Sequence, residues 1–145
     1  MSVVRRKTMQ RDVVLQVLTE AGRPLSPQEI FQAAKLEVPS LGIATVYRNI
    51  KTLLENGALQ PVELPGVAQR YEIAGKHHHH HFHCSSCGKV YEIEGCTMKE
   101  DHHLNLPADF EVEDHVVVLY GRCAGCAHAD KAKAVREEGS QSQDN

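Results

Sequence analysis

The stretch SPQEIFQAAKLEVPSLGIATVYRNIKTLLENG, residues Ser26 to Gly57, decides the fold. Ser26-Pro27-Gln28-Glu29 reads as a helix start. Serine stands at the N-cap, proline at the first helical position where no amide is missed, and Glu29 can close a capping box. This helix is expected to run to about Leu36, and Pro39 and Ser40 then break the chain. A third helix is predicted from about Gly42 to Glu55, with Ile43, Val46, Ile50, Leu53 and Leu54 on its inner face. Asn56-Gly57 ends it, because glycine takes the left-handed backbone a helix terminus needs. Upstream, Gln10 to Ala21 sets Val13, Val14, Val17, Leu18 and Ala21 at helical spacing before the stop at Gly22. Downstream, Leu59 to Leu64 and Gln69 to Ile73 alternate on either side of Pro65-Gly66 and read as a hairpin. Three helices and a hairpin is the order of a winged helix-turn-helix, whose third helix enters the major groove of DNA and whose hairpin is the wing.

Beyond Ala74-Gly75-Lys76 the composition turns to histidine, cysteine and acid. The expected organisation is a winged helix over 1–74, a hinge at 75–76, a small second domain over 77–138 and a polar, disordered tail over 139–145. Phe82 to Cys84, Val90 to Ile93 and a long stretch from Glu111 to Tyr120 read as strands. Thr97 to Leu104 reads as a short helix and Ala127 to Glu138 as a frayed one. The fold class is therefore α/β in the mixed α+β sense. Charge divides the same way: residues 1–70 hold nine Lys+Arg against six Asp+Glu, and residues 71–145 seven against thirteen. A mildly basic half can meet nucleic acid; an acidic half does not seek it. No apolar run is long enough to span a membrane, and the N-terminus lacks the apolar core of a secretion signal, so the cytoplasm is the expected compartment.

Of five cysteines, four form two Cys-x-x-Cys pairs, Cys84/Cys87 and Cys123/Cys126, with Cys96 left over. Each tight turn offers two thiolates, and four sulfurs make a closed tetrahedral zinc site with no open position for catalysis. The long gap between Cys87 and Cys123 means that such a site ties distant parts of one domain together. A redox pair or an iron centre would use the same sulfurs.

The run His77-His78-His79-His80-His81-Phe82-His83 is the most unusual segment. A purification tag or a solvated polar loop are the bland readings; the run is internal and abuts the first cysteine pair. In extended chain, side chains alternate between faces. His79 and His81 then face one side, His78 and His80 the other, and one strand can serve two metal sites. Glu72, Glu92, Cys96, Glu100, Asp101, His102, His103 and His115 are the further donors available.

These pieces together resemble the ferric uptake regulator family, over about Thr8 to Cys126. Ala44-Thr45-Val46-Tyr47-Arg48 is similar to the family's recognition-helix motif and Arg70-Tyr71-Glu72 to its wing strand. The His run, Cys84-x-x-Cys87-Gly88-Lys89-Val90 and His115 eight residues before Cys123 complete the pattern. The resemblance implies a homodimeric, metal-dependent repressor of metal-homeostasis genes, bound to a palindromic double-stranded operator. It implies DNA contacts from Thr45, Tyr47 and Arg48, although Tyr47 packed into the core is the alternative. It implies a structural zinc on the four cysteines. It also implies a regulatory zinc or iron(II) ion held by Glu72, His79, His81 and Glu92. Many relatives add a histidine just before the second helix; Pro24 or Leu25 stands there in this chain. Four ligands suit zinc better than octahedral iron, and Cys96 is a candidate to join this site. A third site of some relatives maps to His78, His80, a glutamate and His115. Lys99 stands at the glutamate's position, with Glu100 the nearest substitute.

A peroxide-sensing regulator of the same family is an alternative, but such relatives usually carry aspartate where Glu72 and Glu92 stand. A His-rich metal storage protein or chaperone is another. A zinc enzyme is disfavoured, because no HExxH or comparable motif is present.

Overall fold

The computed structural model of the chain describes residues 2–96 and 104–140. Helix α1 spans Val3–Ala21, α2 Pro27–Glu37 and α3 Ile43–Glu55. Strands β1 (Leu59–Val62) and β2 (Arg70–Ile73) form the antiparallel wing, with Leu59 opposite Ile73. Strands β3 (His79–Cys84), β4 (Val90–Glu94) and β5 (Val118–Gly121) form a second sheet in the order β4-β3-β5, followed by α4 (Ala124–Ser140).

The capping box is present: Glu29 N–H donates to Ser26 Oγ at 3.2 Å, and the Ser26 amide donates to the Glu29 carboxylate at 2.9 Å. Gly57, at φ +75°, ends α3 in the left-handed region. The three helices and the wing close over Val14, Val17, Leu18, Leu25, Ile30, Ala34, Leu41, Val46, Ile50, Leu53 and Leu59. A second, smaller cluster of Val62, Leu64 and Val90, with Val67 and Val118 against it, seats the wing on the second sheet.

Three expectations need correction. Helix α1 starts two turns earlier than Gln10, capped by Ser2. Residues 3–9 are all exposed, so they carry no apolar periodicity to announce them. The long strand over Glu111 to Tyr120 shrinks to Val118–Gly121. Only those four residues find a partner along β3, and Val116 is 79 % exposed. Helix α4 begins at Ala124 and its backbone runs through Ser140, so residues 139 and 140 are helical rather than part of a tail. Residues 141–145, and the expected short helix except Leu104, lie outside the described residues.

Candidate metal centres and nucleic-acid face

The four-cysteine cluster follows from strand pairing. Strand β5 runs parallel to β3, with Cys84 opposite Gly121. The end of β3 and the start of α4 just after β5 therefore lie side by side, and each carries one Cys-x-x-Cys. Ser85 locks them through its amide and hydroxyl, both donating to the Gly121 carbonyl at 2.7 and 3.0 Å. Gly121 lets the strands approach closely there, since a Cβ would meet the Phe82 ring at 3.1 Å and force it to shift. Cys84, Cys87, Cys123 and Cys126 converge with their sulfurs within 4.8 Å of one another. Cys87 Sγ and Cys123 Sγ are 3.9 Å apart, against about 3.8 Å for the edge of a tetrahedral zinc–thiolate cage with 2.3 Å bonds. The donor set thus fits zinc. In the metal-free chain, amide hydrogen bonds from Cys87 and Cys123 pull the Cys84 thiol down to about 6. Contact with Cys123, together with burial, pushes Cys126 up to about 12. Four sulfurs at this spacing do not ionise together without a cation between them.

The second cluster joins the wing to β3. Glu72, on β2, is 2 % exposed. Its carboxylate lies 3.1 Å from His79 Nε2 and 3.2 Å from His81 Nε2, and accepts from Gln60 Nε2 at 2.6 Å. Burial pushes Glu72 up, but the hydrogen bonds of His81 and Gln60 and the pull of both imidazoles outweigh it and bring it to about 2. Burial likewise lowers His79, yet its bond to the His77 carbonyl and the Glu72 charge leave it raised above 6.5. His79 Nδ1 lies 2.7 Å from that carbonyl. This bond leaves Nε2 as the ligating atom and fixes the ring, as is usual for metal-binding histidines.

Glu92, expected in this set, is not in the cluster. It stands opposite His81 across the β3–β4 ladder, but its carboxylate is taken by the Lys76 ammonium. Gln60 was not expected; it is the β1 residue opposite Glu72 in the wing register, so correct hairpin pairing would have found it.

The third cluster lies on the other face of β3. His78, His80, His115 and Cys96 converge. Here Cys96, weighed above for the Glu72 set, is instead 2.9 Å from His115 Nε2. Glu100 lies outside the described residues. His80 is 7 % exposed, and burial with the neighbouring imidazoles lowers its pKa.

On α3, Val46, Ile50 and Leu53 face the core, while Tyr47 is 50 % exposed. Tyr47 is therefore not a core residue. Arg48 is exposed and its Nη2 donates to Thr45 Oγ1 at 2.9 Å. Beside them Lys7, Gln10, Arg11, Arg48, Asn49 and Thr52 line a cleft of about 390 Å³ between α1 and α3. Arg70, quoted above only as part of the wing-strand motif, is 8 % exposed, pairs with Glu29 of the capping box and donates to the Gly88 carbonyl at 2.6 Å. It links α2, the wing and the first cysteine turn.

The model of the Ferric uptake regulator family matches residues 3–120 of this sequence. The chain belongs to the ferric uptake regulator family. It is a metal-responsive, DNA-binding transcriptional regulator. Family members bind DNA and act as dimers, and their cofactors are a structural zinc and a regulatory divalent ion. The regulator is similar to the Ferric uptake regulation protein of Campylobacter upsaliensis, at 32 % identity over 87 % of this chain and 83 % of that protein. It is also similar to the Peroxide-responsive repressor PerR of Staphylococcus aureus, at 28 % over 83 % and 82 %. Among solved structures it resembles the Helicobacter pylori ferric uptake regulator Fur, a protein with three functional metal-binding sites. The TM-score is 0.60 and the identity 28 %, over 82 % of this chain and 80 % of that one. Among the described residues no helix is long and apolar enough to cross a membrane.

Proposed function

We propose that this regulator is a repressor whose grip on DNA is set by zinc or iron(II) at Glu72, His79 and His81, with zinc the better fit. The observation that carries the reading is a single buried carboxylate on the wing reaching two imidazoles on β3. Glu72 belongs to the reading head, residues 1–74; His79 and His81 lie beyond the hinge at 75–76, where Gly75 takes φ +80°. A divalent ion bound there supplies coordination bonds that only one posture of wing and strand completes, so it selects that posture by differential affinity. Glu92 is a fourth donor within reach of the same face when it exchanges Lys76 for the ion. Nitrogen and carboxylate donors numbering three or four suit tetrahedral zinc better than an octahedral ion. Cys84, Cys87, Cys123 and Cys126 hold the structural zinc.

Two such heads in a dimer match the half-sites of a palindromic operator. Tyr47 and Arg48 project from the exposed side of α3 towards bases and phosphate, and Lys7 and Arg11 border the same cleft. Arg48→Ala is expected to weaken operator binding by about 1–3 kcal/mol if Arg48 reads a base edge. Lys7→Ala is expected to weaken all sequences alike and to flatten the salt dependence by about one unit of slope. Fluorescence anisotropy on operator and scrambled DNA at stepped salt measures both. Wild-type affinity in both variants would remove this face from the interface.

The pH dependence has a definite sign. In the metal-free chain His79 is raised above 6.5. Its pairing with Glu72 stabilises the fold fully below pH 6.5, and that contribution is lost as pH rises through the raised value. Glu72, lowered from 4.5 to about 2, contributes above pH 4.5 and loses its contribution as pH falls towards 2. A ligating imidazole must be neutral. Metal affinity at this site is therefore expected to climb as pH rises from about 6 to about 8, with proton release on binding. Glu72 adds no slope there because it is already ionised. Calorimetry in buffers of different ionisation enthalpy counts the protons. A flat affinity with no proton release would exclude His79 as a ligand.

A further inference from the structure

We infer that Cys96 completes a second metal site on the opposite face of β3, with His78, His80 and His115, and that this mixed imidazole–thiolate set takes zinc in preference to manganese or iron(II). The inference builds on the reading above, in which the other face of β3 holds the regulatory ion. What is new is the sulfur and the selectivity it confers.

The donors come from three separate segments. His78 immediately precedes β3 and His80 lies in it, Cys96 comes just after β4, and His115 is in the irregular segment before β5. His78 Nε2 lies 3.2 Å from both His80 Nε2 and His115 Nε2. Two nitrogens bound to one tetrahedral zinc at 2.0–2.1 Å are about 3.3 Å apart, so His78 already stands at coordination spacing from both other imidazoles, and all four ligand atoms lie within 4.8 Å of one another. Cys96 Sγ is 2.9 Å from His115 Nε2, and a small outward movement of the thiol gives the nitrogen–sulfur edge of about 3.6 Å.

Hydrogen bonding does not account for this convergence. A neutral imidazole carries one N–H. His78 Nε2 faces two other ring nitrogens, and His115 Nε2 faces both His78 and Cys96. One proton points in one direction, so at least one lone-pair contact stays unsatisfied in any tautomer. A cation at the shared focus satisfies all four donors at once. Thiolate and imidazole together favour zinc, whereas manganese and iron(II) are better served by carboxylate and water. With sulfur as the fourth ligand, this face discriminates among ions more sharply than the all-nitrogen-and-oxygen set around Glu72. Occupancy also ties the exposed chain over 104–114 to β3 through His115.

The test uses the full chain with one zinc already retained by the four cysteines. Cobalt(II) added anaerobically is expected to produce an intense thiolate-to-cobalt charge-transfer absorption while the retained zinc stays bound. The band should persist in the His79→Ala, His81→Ala variant, vanish in Cys96→Ser, and be abolished by equimolar zinc but not by excess manganese. Absence of the band, or a band unchanged in Cys96→Ser, overturns the inference. Should Cys96→Ser misfold, alkylation of Cys96 in the wild-type chain decides the matter. Zinc is expected to slow it and manganese not; equal rates overturn the assignment. Failure of the regulatory reading shows differently, as metal-dependent DNA binding that survives loss of His79 and His81.

Discussion

Cys84→Ser is expected to lose the retained zinc and to unfold the second domain while leaving the winged helix folded. Cys84 is fully buried. It accepts the Cys123 amide at 3.3 Å and starts the turn that meets Gly121. A serine hydroxyl is not ionised at neutral pH and offers no thiolate. Structural zinc in small peptides binds with an apparent ~10–16 kcal/mol, comparable with or larger than the whole stability of a typical domain, ~5–15 kcal/mol. The second sheet has little to set against that loss: among the described residues, the buried apolar cluster reaching it is Val62, Leu64 and Val90, two of which belong to the wing side. The winged helix keeps its own core of eleven buried residues. The expected result is therefore partial unfolding with the α1–α3 helical signal retained, loss of zinc by elemental analysis, and loss of the dimer in sedimentation. Cys96→Ser serves as the control that keeps the staple. A zinc-loaded, dimeric Cys84→Ser protein would remove the staple from this cluster.

The second large effect is on DNA binding. His79→Ala with His81→Ala should leave the fold, the staple and the dimer intact, yet abolish the response to metal. If the free chain holds its binding posture about one time in a hundred, an ion that restores that posture changes apparent DNA affinity about a hundredfold. Shifting the balance from 1:99 to 99:1 takes ~5.5 kcal/mol of differential binding, within reach of two imidazole bonds and one from a buried carboxylate. His83→Ala is the matched control. It lies on the same strand, two residues on, but its ring sits against Tyr120 at 5.8 Å between centroids, away from both clusters. Operator titrations with and without zinc separate the cases. A double variant that still needs metal would move the regulatory site elsewhere.

Much of the fold is local and so was readable. The capping box at Ser26, the stops at Gly22 and Gly57, and the 3.6-residue spacing of Val46, Ile50 and Leu53 each act within one element. They predict α2 and α3 to within a residue or two. The alternation of the histidine run is equally local: a strand must send His79 and His81 to one face and His78 and His80 to the other. The start of α1 left no mark because its first two turns bury nothing. The valines over 116–118 looked like strand because they are β-branched, but a strand needs a partner, and β3 offers β5 only four residues.

What the chain decides by itself, then, is which elements form, which residues are potential ligands, and how those on β3 divide between two faces, because torsional preference and side-chain period act over a few neighbours. Which donors actually meet is decided only in three dimensions. The β3–β5 pairing brings Cys84 and Cys87 to Cys123 and Cys126, the wing delivers Glu72 to His79 and His81, Lys76 takes Glu92 away from them, and the end of β4 presents Cys96 to His115. Those meetings join residues as far apart in the chain as Cys84 and Cys126, and their geometry comes from strand register and packing, which no spacing along the chain encodes.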